Sequence, residues 1–250
     1  MIATLTSLPR RMWRAVVGRL RPARRSKYLR RIPGLTTVAA RLRLGFGTQP
    51  LSVVSGSDRG PSIHRYYLDL FMREFAADIH GRCLEFQNDQ YTTRFGKTRV
   101  RHLDILHKQG SGTSKQTTIV ADLLAPNDVP SASYDTIICT HTLHIVEDPP
   151  RFMDELRRLL APSGVLLLGV PHVAGIQPWW HELWRFTPEG LAWLGARSFG
   201  AGNVTLRSYG NTLTAAGAMR GLIAAEFSSR ELGLHDDRFA VEVCLRAVKA

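Results

Sequence analysis

Three acidic residues of this chain each close a short apolar or β-branched run: Glu85 in Arg82-Cys83-Leu84-Glu85-Phe86, Asp104 in Arg99-Val100-Arg101-His102-Leu103-Asp104, and Asp122 after Thr117-Thr118-Ile119-Val120-Ala121. A carboxylate accepts hydrogen bonds from ribose hydroxyls, and open α/β sheets bind ligands outside the carboxyl ends of their strands. Asp104 follows Glu85 by nineteen residues, close to the roughly 20 that separate the first loop of a nucleotide-binding βαβ unit from its ribose acid. The turn Gln87-Asn88-Asp89-Gln90 has no apolar period and stands where such a ligand would lie. Glu85 taken alone reads equally as the solvated end of a core strand. Three successive acids of this kind favour a nucleoside edge.

The elements that must position them can be read from periodicity. Ile63–Ile79 spaces Ile63, Tyr67, Leu70, Phe71, Phe75 and Ile79 at helical intervals, which predicts an amphipathic helix leading into the first strand. His64, Arg65 and Tyr66 at its start are candidates to close over a ligand, the arginine taking a carboxylate, although an aromatic stripe at this spacing is more often core. Tyr134–Thr140 predicts a fourth strand and Val165–Val170 a fifth, with a helix over Phe152–Leu160 opened by Pro149-Pro150 between them. Thr187 is the expected N-cap of the next helix. Asn203–Ser208 and Val241–Val248 read as late strands flanking an Ala-rich helix over Thr214–Phe227. Strands alternating with helices indicate a parallel sheet covered on both faces.

Composition narrows the class. A hydrophobic fraction of 44% suits a globular domain with a core, and no apolar run reaches the roughly 20 residues of a membrane helix. The opening residues are too weakly apolar for a secretory signal, so a cytoplasmic location is expected. Cys83, Cys139 and Cys244 lie inside apolar runs and read as buried thiols, with no metal or disulfide framework. The net charge of +12 is confined to the first fifth of the chain: residues 1–50 hold twelve Lys and Arg and no acid, whereas beyond residue 50 the two signs balance. Residues 10–31 contain a basic amphipathic pattern that suits a mobile extension or contact with an anionic membrane surface or other anionic partner. A specific nucleic-acid partner is not expected of the electroneutral body. Gly45, Gly47, Gly56 and Gly60 place a linker before Pro61.

From about Asp58 onward the chain resembles class I S-adenosylmethionine-dependent methyltransferases, in particular small-molecule methyltransferase domains often found beside or fused to glycosyltransferases. The segments that carry the likeness are DRGPSIHRYY, CLEFQNDQYTTRFG, TIVADL, YDTIICTHTLHIVEDPPRFMDELRRLLAPSGVLLLGVP and WRFTPEGL. The resemblance implies a Rossmann-like, seven-stranded, mostly parallel sheet with helices on both faces over residues 58–250; residues 1–57, which it does not account for, read from charge and composition as a basic N-terminal extension and linker. It implies S-adenosyl-L-methionine as cofactor, with Glu85, Phe86, Gln87, Asn88 and Tyr91 in the first cofactor motif. Asp104 would bind the ribose, Asp122 and Leu123 would read the adenine, and Thr140 and His141 would flank the reacting methyl group. One position departs from the family: a glycine commonly stands two residues after the acid, and here it is Gln87, whose Cβ occupies a place of close backbone approach.

The implied reaction is an in-line displacement in which an acceptor oxygen or nitrogen attacks the sulfonium methyl group, and alignment alone can contribute on the order of 7–11 kcal/mol. A hydroxyl acceptor must lose a proton, for which His141, then His144, then His181 are the candidate bases. Trp179, Trp180 and His181 are possible contacts to a small-molecule or sugar acceptor, whereas Trp184 and Phe186 read as structural. A second reading, kept open by Gln87, is a methyltransferase-like partner module without cofactor binding. A nicotinamide dehydrogenase lacks support because no G-x-G-x-x-G occurs. The Asp148-Pro149-Pro150 triplet lies too far past the fourth strand for an amino-methylating nucleic-acid enzyme.

Overall fold

A computed structural model describes residues 47–108, 118–177 and 181–250, together with Val38 and Leu42. The basic pattern of residues 10–31, Trp179 and Trp180 lie outside the described residues. The chain forms a seven-stranded sheet from β1 (Gly81–Phe86), β2 (Val100–His107), β3 (Ile119–Val120), β4 (Tyr134–Thr140), β5 (Leu160–Pro171), β6 (Val204–Tyr209) and β7 (Glu242–Val248). Their order across the sheet is β3-β2-β1-β4-β5-β7-β6. β1 to β5 run parallel, and β7 is antiparallel to both β5 and β6. The chain order reverses between β1 and β4, which makes the crevice beyond their carboxyl ends the topological switch point.

Alternation along the strands sorts side chains to two faces. On one face Cys83, Ile138, Leu167 and Cys244 pack against Tyr67, Leu68, Phe71 and Met72 of α1 (Ile63–Glu74). On the other, Leu84, Ile137, Cys139, Leu166, Leu168 and Leu245 meet Phe152, Met153 and Leu156 of α2 (Pro149–Leu159) and Leu191 and Leu194 of α3 (Pro188–Phe199). Each fully buried side chain of this size contributes about 1.5–3 kcal/mol of apolar transfer. The three cysteines are buried and free, as their apolar settings require.

Local chemistry sets where these helices begin. Ser62 caps α1 through Arg65 N–H, Asp148 caps α2 through Arg151 N–H ahead of Pro149-Pro150, and Thr187 caps α3 through Gly190 N–H. Each cap satisfies an otherwise orphaned donor for about 1 kcal/mol. The seven strands fall where the sequence placed them, with three shifts that matter. β2 runs on to His107, so Asp104 lies inside the strand and not at its end. The predicted helix over Thr214–Phe227 is broken into α4 (Thr212–Met219), a short turn over Ala224–Glu226 and α5 (Ser229–Gly233), because the chain reverses at Gly221 with φ +71°. The segment read as linker is tied down: Leu51 N–H donates to Arg220 O, and Arg59 pairs with Glu226 and donates to Gly221 O. Among the described residues no helix is long and apolar enough to cross a membrane.

Candidate active site

Two backbone turns frame the crevice at the switch point. After β1 the chain turns through Gln87 with φ +71°, and after β4 through His141 with φ +48°. Non-glycine residues rarely hold this left-handed conformation, and where they do the strain is of order 1–3 kcal/mol and is held in place by the surroundings. Gln87 is braced on both sides, its N–H donating to Leu106 O at 3.0 Å while its carbonyl lies 2.7 Å from His107 Nε2. His141 N–H donates to Gly169 O at 2.8 Å. The position where a glycine was expected therefore keeps the backbone shape a glycine permits, with a side chain added.

Between these turns lies a cavity of about 240 Å³ lined by Ser62, His64, Arg65, Gln87, His141 and His144, with Gln177 and Glu182 across it. Behind two of its histidines lies an acid that periodicity did not single out. Glu242, first residue of β7, points to the α1 face, is fully buried, and lies between two imidazoles: His64 Nδ1 is 3.0 Å from Oε2, and His141 Nε2 is 3.0 Å from Oε1 and 3.2 Å from Oε2. Gly169 on the neighbouring strand makes room for it, since a Cβ there would stand 3.3 Å from Glu242 Oε1 and inside Leu68. Burial acts to raise the carboxyl pKa, but His141 and His64 outweigh it and hold Glu242 at about 2. Burial lowers His141, and the carboxylate offsets only part of that. His144, buried beside His141, is lowered to about 4 and is neutral at neutral pH.

Residues 63–168, from α1 through most of β5, match the family model described as a methyltransferase domain. Over these residues the chain is similar to methyltransferase domains. The cofactor of this family is S-adenosylmethionine. Solved structures similar to the chain include a SAM-dependent methyltransferase from Archaeoglobus fulgidus, at 12% identity over 74% of this chain and 94% of that one, with a TM-score of 0.48. The N-methyltransferase NodS from Bradyrhizobium japonicum, solved with S-adenosyl-L-homocysteine, is 12% identical over 86% of this chain and 98% of that one, also with a TM-score of 0.48. A search of curated protein sequences finds no significant match.

The fold arranges the predicted site residues unevenly. Gln87, Thr140, His141 and His144 stand together at the crevice, with Arg65 on the opposite wall. Arg65 Nη1 donates to Tyr91 Oη at 3.0 Å, and Tyr91 itself is buried. Asp122 does follow β3, where Lys108 Nζ lies 2.9 Å from it and Leu124 N–H donates to it; Leu123 beside it is buried. Asn88 caps the turn by accepting from Gln90 N–H.

Five predicted site residues are held in other contacts or lie outside the cavity lining. Glu85 faces inward and accepts from the Tyr91 and Thr92 N–H groups at 3.0 and 2.7 Å, so both oxygens shape the turn and neither reaches the crevice. Phe86 lies in the core, edge-on to Phe152 at 5.8 Å. Asp104 sits on the α2 and α3 face, where its carboxylate is taken up by Arg82, His102, Thr118 and Tyr134. Tyr66 packs edge-on to Tyr67 rather than lining the cavity. His181 is exposed and outside the cavity lining. Trp184 is anchored by its indole N–H to Val146 O at 2.8 Å, and Phe186 O lies 2.9 Å from His172 Nδ1.

The residue missed by sequence reasoning is Glu242; His64, named there as a residue that could close over a ligand, does line the cavity. A usable signal existed for Glu242, an acid flanked by Val241 and Val243 at the start of a strand whose only other charged residue is Arg246.

The residues at the switch point fit the cofactor in part. The left-handed turn at Gln87, the acid after β3 and the cavity beyond β4 are suitably placed, whereas Asp104 and Glu85 have no free acceptor at the crevice.

Proposed function

We propose that the protein transfers the methyl group of S-adenosylmethionine to a hydroxyl of a small-molecule or glycan acceptor, with His141 as the base. The observation that carries this reading is the placement of His141 at the switch point, lining the cavity beside Gln87 with its Nε2 tied to an ionised acid. The Gln87 turn and Thr140 would hold the methionine part, and Asp122 with Leu123 the adenine. The cofactor supplies an electrophilic methyl group on sulfur. The chain contributes alignment, exclusion of water by the α1 wall, and a site for the proton lost by the acceptor.

A burial-lowered imidazole is neutral at neutral pH and so is able to accept a proton. Arg65 and Gln177 are polar groups suited to orienting an acceptor that carries hydroxyl or anionic substituents. The concentration of positive charge before residue 50 supports contact with an anionic surface, which would bring the enzyme to membrane-associated acceptors.

Calorimetry of the full chain with S-adenosylhomocysteine tests the reading. A saturable exotherm is expected. No heat at millimolar ligand would refute it and favour the partner-module alternative, for which the Gln87 side chain is the specific observation.

A further inference from the structure

We propose that Glu242 and His64 are positioning residues that hold His141 in the one tautomer able to take the acceptor's proton, an inference that rests on the methyl-transfer reading above. Three observations lead to it.

The first is the donor and acceptor count. An ionised carboxylate only accepts, so each imidazole nitrogen facing Glu242 carries its hydrogen: Nε2 of His141 and Nδ1 of His64. A neutral imidazole has one N–H, which leaves Nδ1 of the burial-lowered His141 as a bare lone pair.

The second is access. Both imidazoles line the cavity, but His64 Nε2 is buried with no partner and its side chain keeps only 6% exposure, whereas the His141 side chain keeps 23%. Of the two imidazoles on the shared acid, His141 is therefore the one an acceptor can reach.

The third is the fixity of the acid. Glu242 is fully buried at the start of β7, paired across the ladder with Pro171 and Tyr209, so it can move only with the sheet. His64 takes one of its oxygens and leaves the other aimed at His141. The remaining charged and titratable groups around the cluster are Arg65 and Asp69 on α1, Tyr91 behind Arg65, His144 after β4, Glu182 with Arg185, and Cys244 on β7.

The transfer balances without a further reactant. The acceptor O–H proton goes to His141 Nδ1 as the oxygen lone pair forms the new O–C bond. The S–C bond breaks with its electron pair returning to sulfur, which loses its positive charge. That charge now resides on the His141 imidazolium, whose Nε2–H faces the Glu242 anion at 3.0 Å.

The test needs no known acceptor. Long-range proton–nitrogen NMR of the ¹⁵N-labelled full chain, with His141 assigned by loss of its signals in His141→Gln, reads tautomer and titration directly. The expected wild-type state carries the proton on Nε2 of His141. In Glu242→Gln the His141 titration midpoint should fall by about 1 pH unit or more, because an opposite charge in contact is removed, and the tautomer should become mixed. In His64→Phe the fold should persist while Glu242, released from one of its two imidazole partners, holds His141 less tightly and the Nε2–H preference weakens.

A purely structural role would change thermal stability and leave tautomer and midpoint alone, and that result overturns the proposal. A proton on Nδ1 of wild-type His141 overturns it as well, and needs no variant to fold. A wild-type tautomer that changes on dialysis against EDTA would overturn it by showing that the three donor atoms, within 4.8 Å of one another, hold a metal ion instead. Calorimetry of the wild-type chain with S-adenosylhomocysteine decides the cofactor reading separately, so the two can fail independently.

Discussion

Replacing Glu85 by Gln tests how the first turn of the crevice is built. The carboxylate is 1% exposed and accepts two backbone N–H groups. Burial is the larger influence and raises its pKa to about 7 against an ordinary 4.5, despite both N–H donors. A carboxyl whose folded-state pKa lies above its unfolded value favours folding most fully below pH 4.5, and its contribution declines as pH rises through 7. At 1.36 kcal/mol per unit, the decline is on the order of 3 kcal/mol. Glutamine cannot titrate, and it can satisfy only one of the two N–H groups, so at low pH the variant should be less stable by about 1–3 kcal/mol. Urea unfolding of both proteins from pH 4.5 to 8 is the assay, because groups common to both cancel in the difference. The wild-type advantage should shrink as pH rises. An advantage that stays constant or grows with pH would refute the reasoning and show that the two N–H donors outweigh burial.

Asp104→Ala removes the acceptor of four side chains and should cost about 3 kcal/mol in unfolding free energy. Asp104 is held below its ordinary 3.8 by Arg82, His102, Thr118 and Tyr134 against the opposing effect of burial, so its contribution is complete above that value and is lost as pH falls. Calorimetry with S-adenosylhomocysteine should show affinity unchanged in this variant; a large loss would restore Asp104 as a cofactor ligand. Deleting residues 1–46, which carry all of the excess positive charge, should leave that affinity intact while weakening flotation with anionic vesicles, at about 1 kcal/mol per basic residue in contact with lipid. Undiminished vesicle binding after the deletion would end the surface-contact reading.

The sequence by itself determined the order and type of most elements. Apolar β-branched runs such as Tyr134–Thr140 and capped amphipathic runs such as the one opening at Thr187 fold by local rules, since alternation, helical spacing and cap chemistry involve residues only a few positions apart. The succession of strands and helices, with the resemblance it carried, also placed the crevice beyond β1 and β4, and with it Gln87 and His141. Tertiary structure alone decided which polar groups face that crevice. Glu85 and Asp104 look alike in sequence as acids near strand ends, yet one caps its own turn and the other is consumed by Arg82 and Tyr134 on the opposite face of the sheet. Glu242 meets His64 across 178 residues and His141 across 101. No local pattern encodes such a meeting, because it depends on β7 inserting antiparallel beside β5 and on α1 closing over the same face. The strand succession together with the family resemblance points to that crevice, and long-range strand pairing brings the buried acid to it.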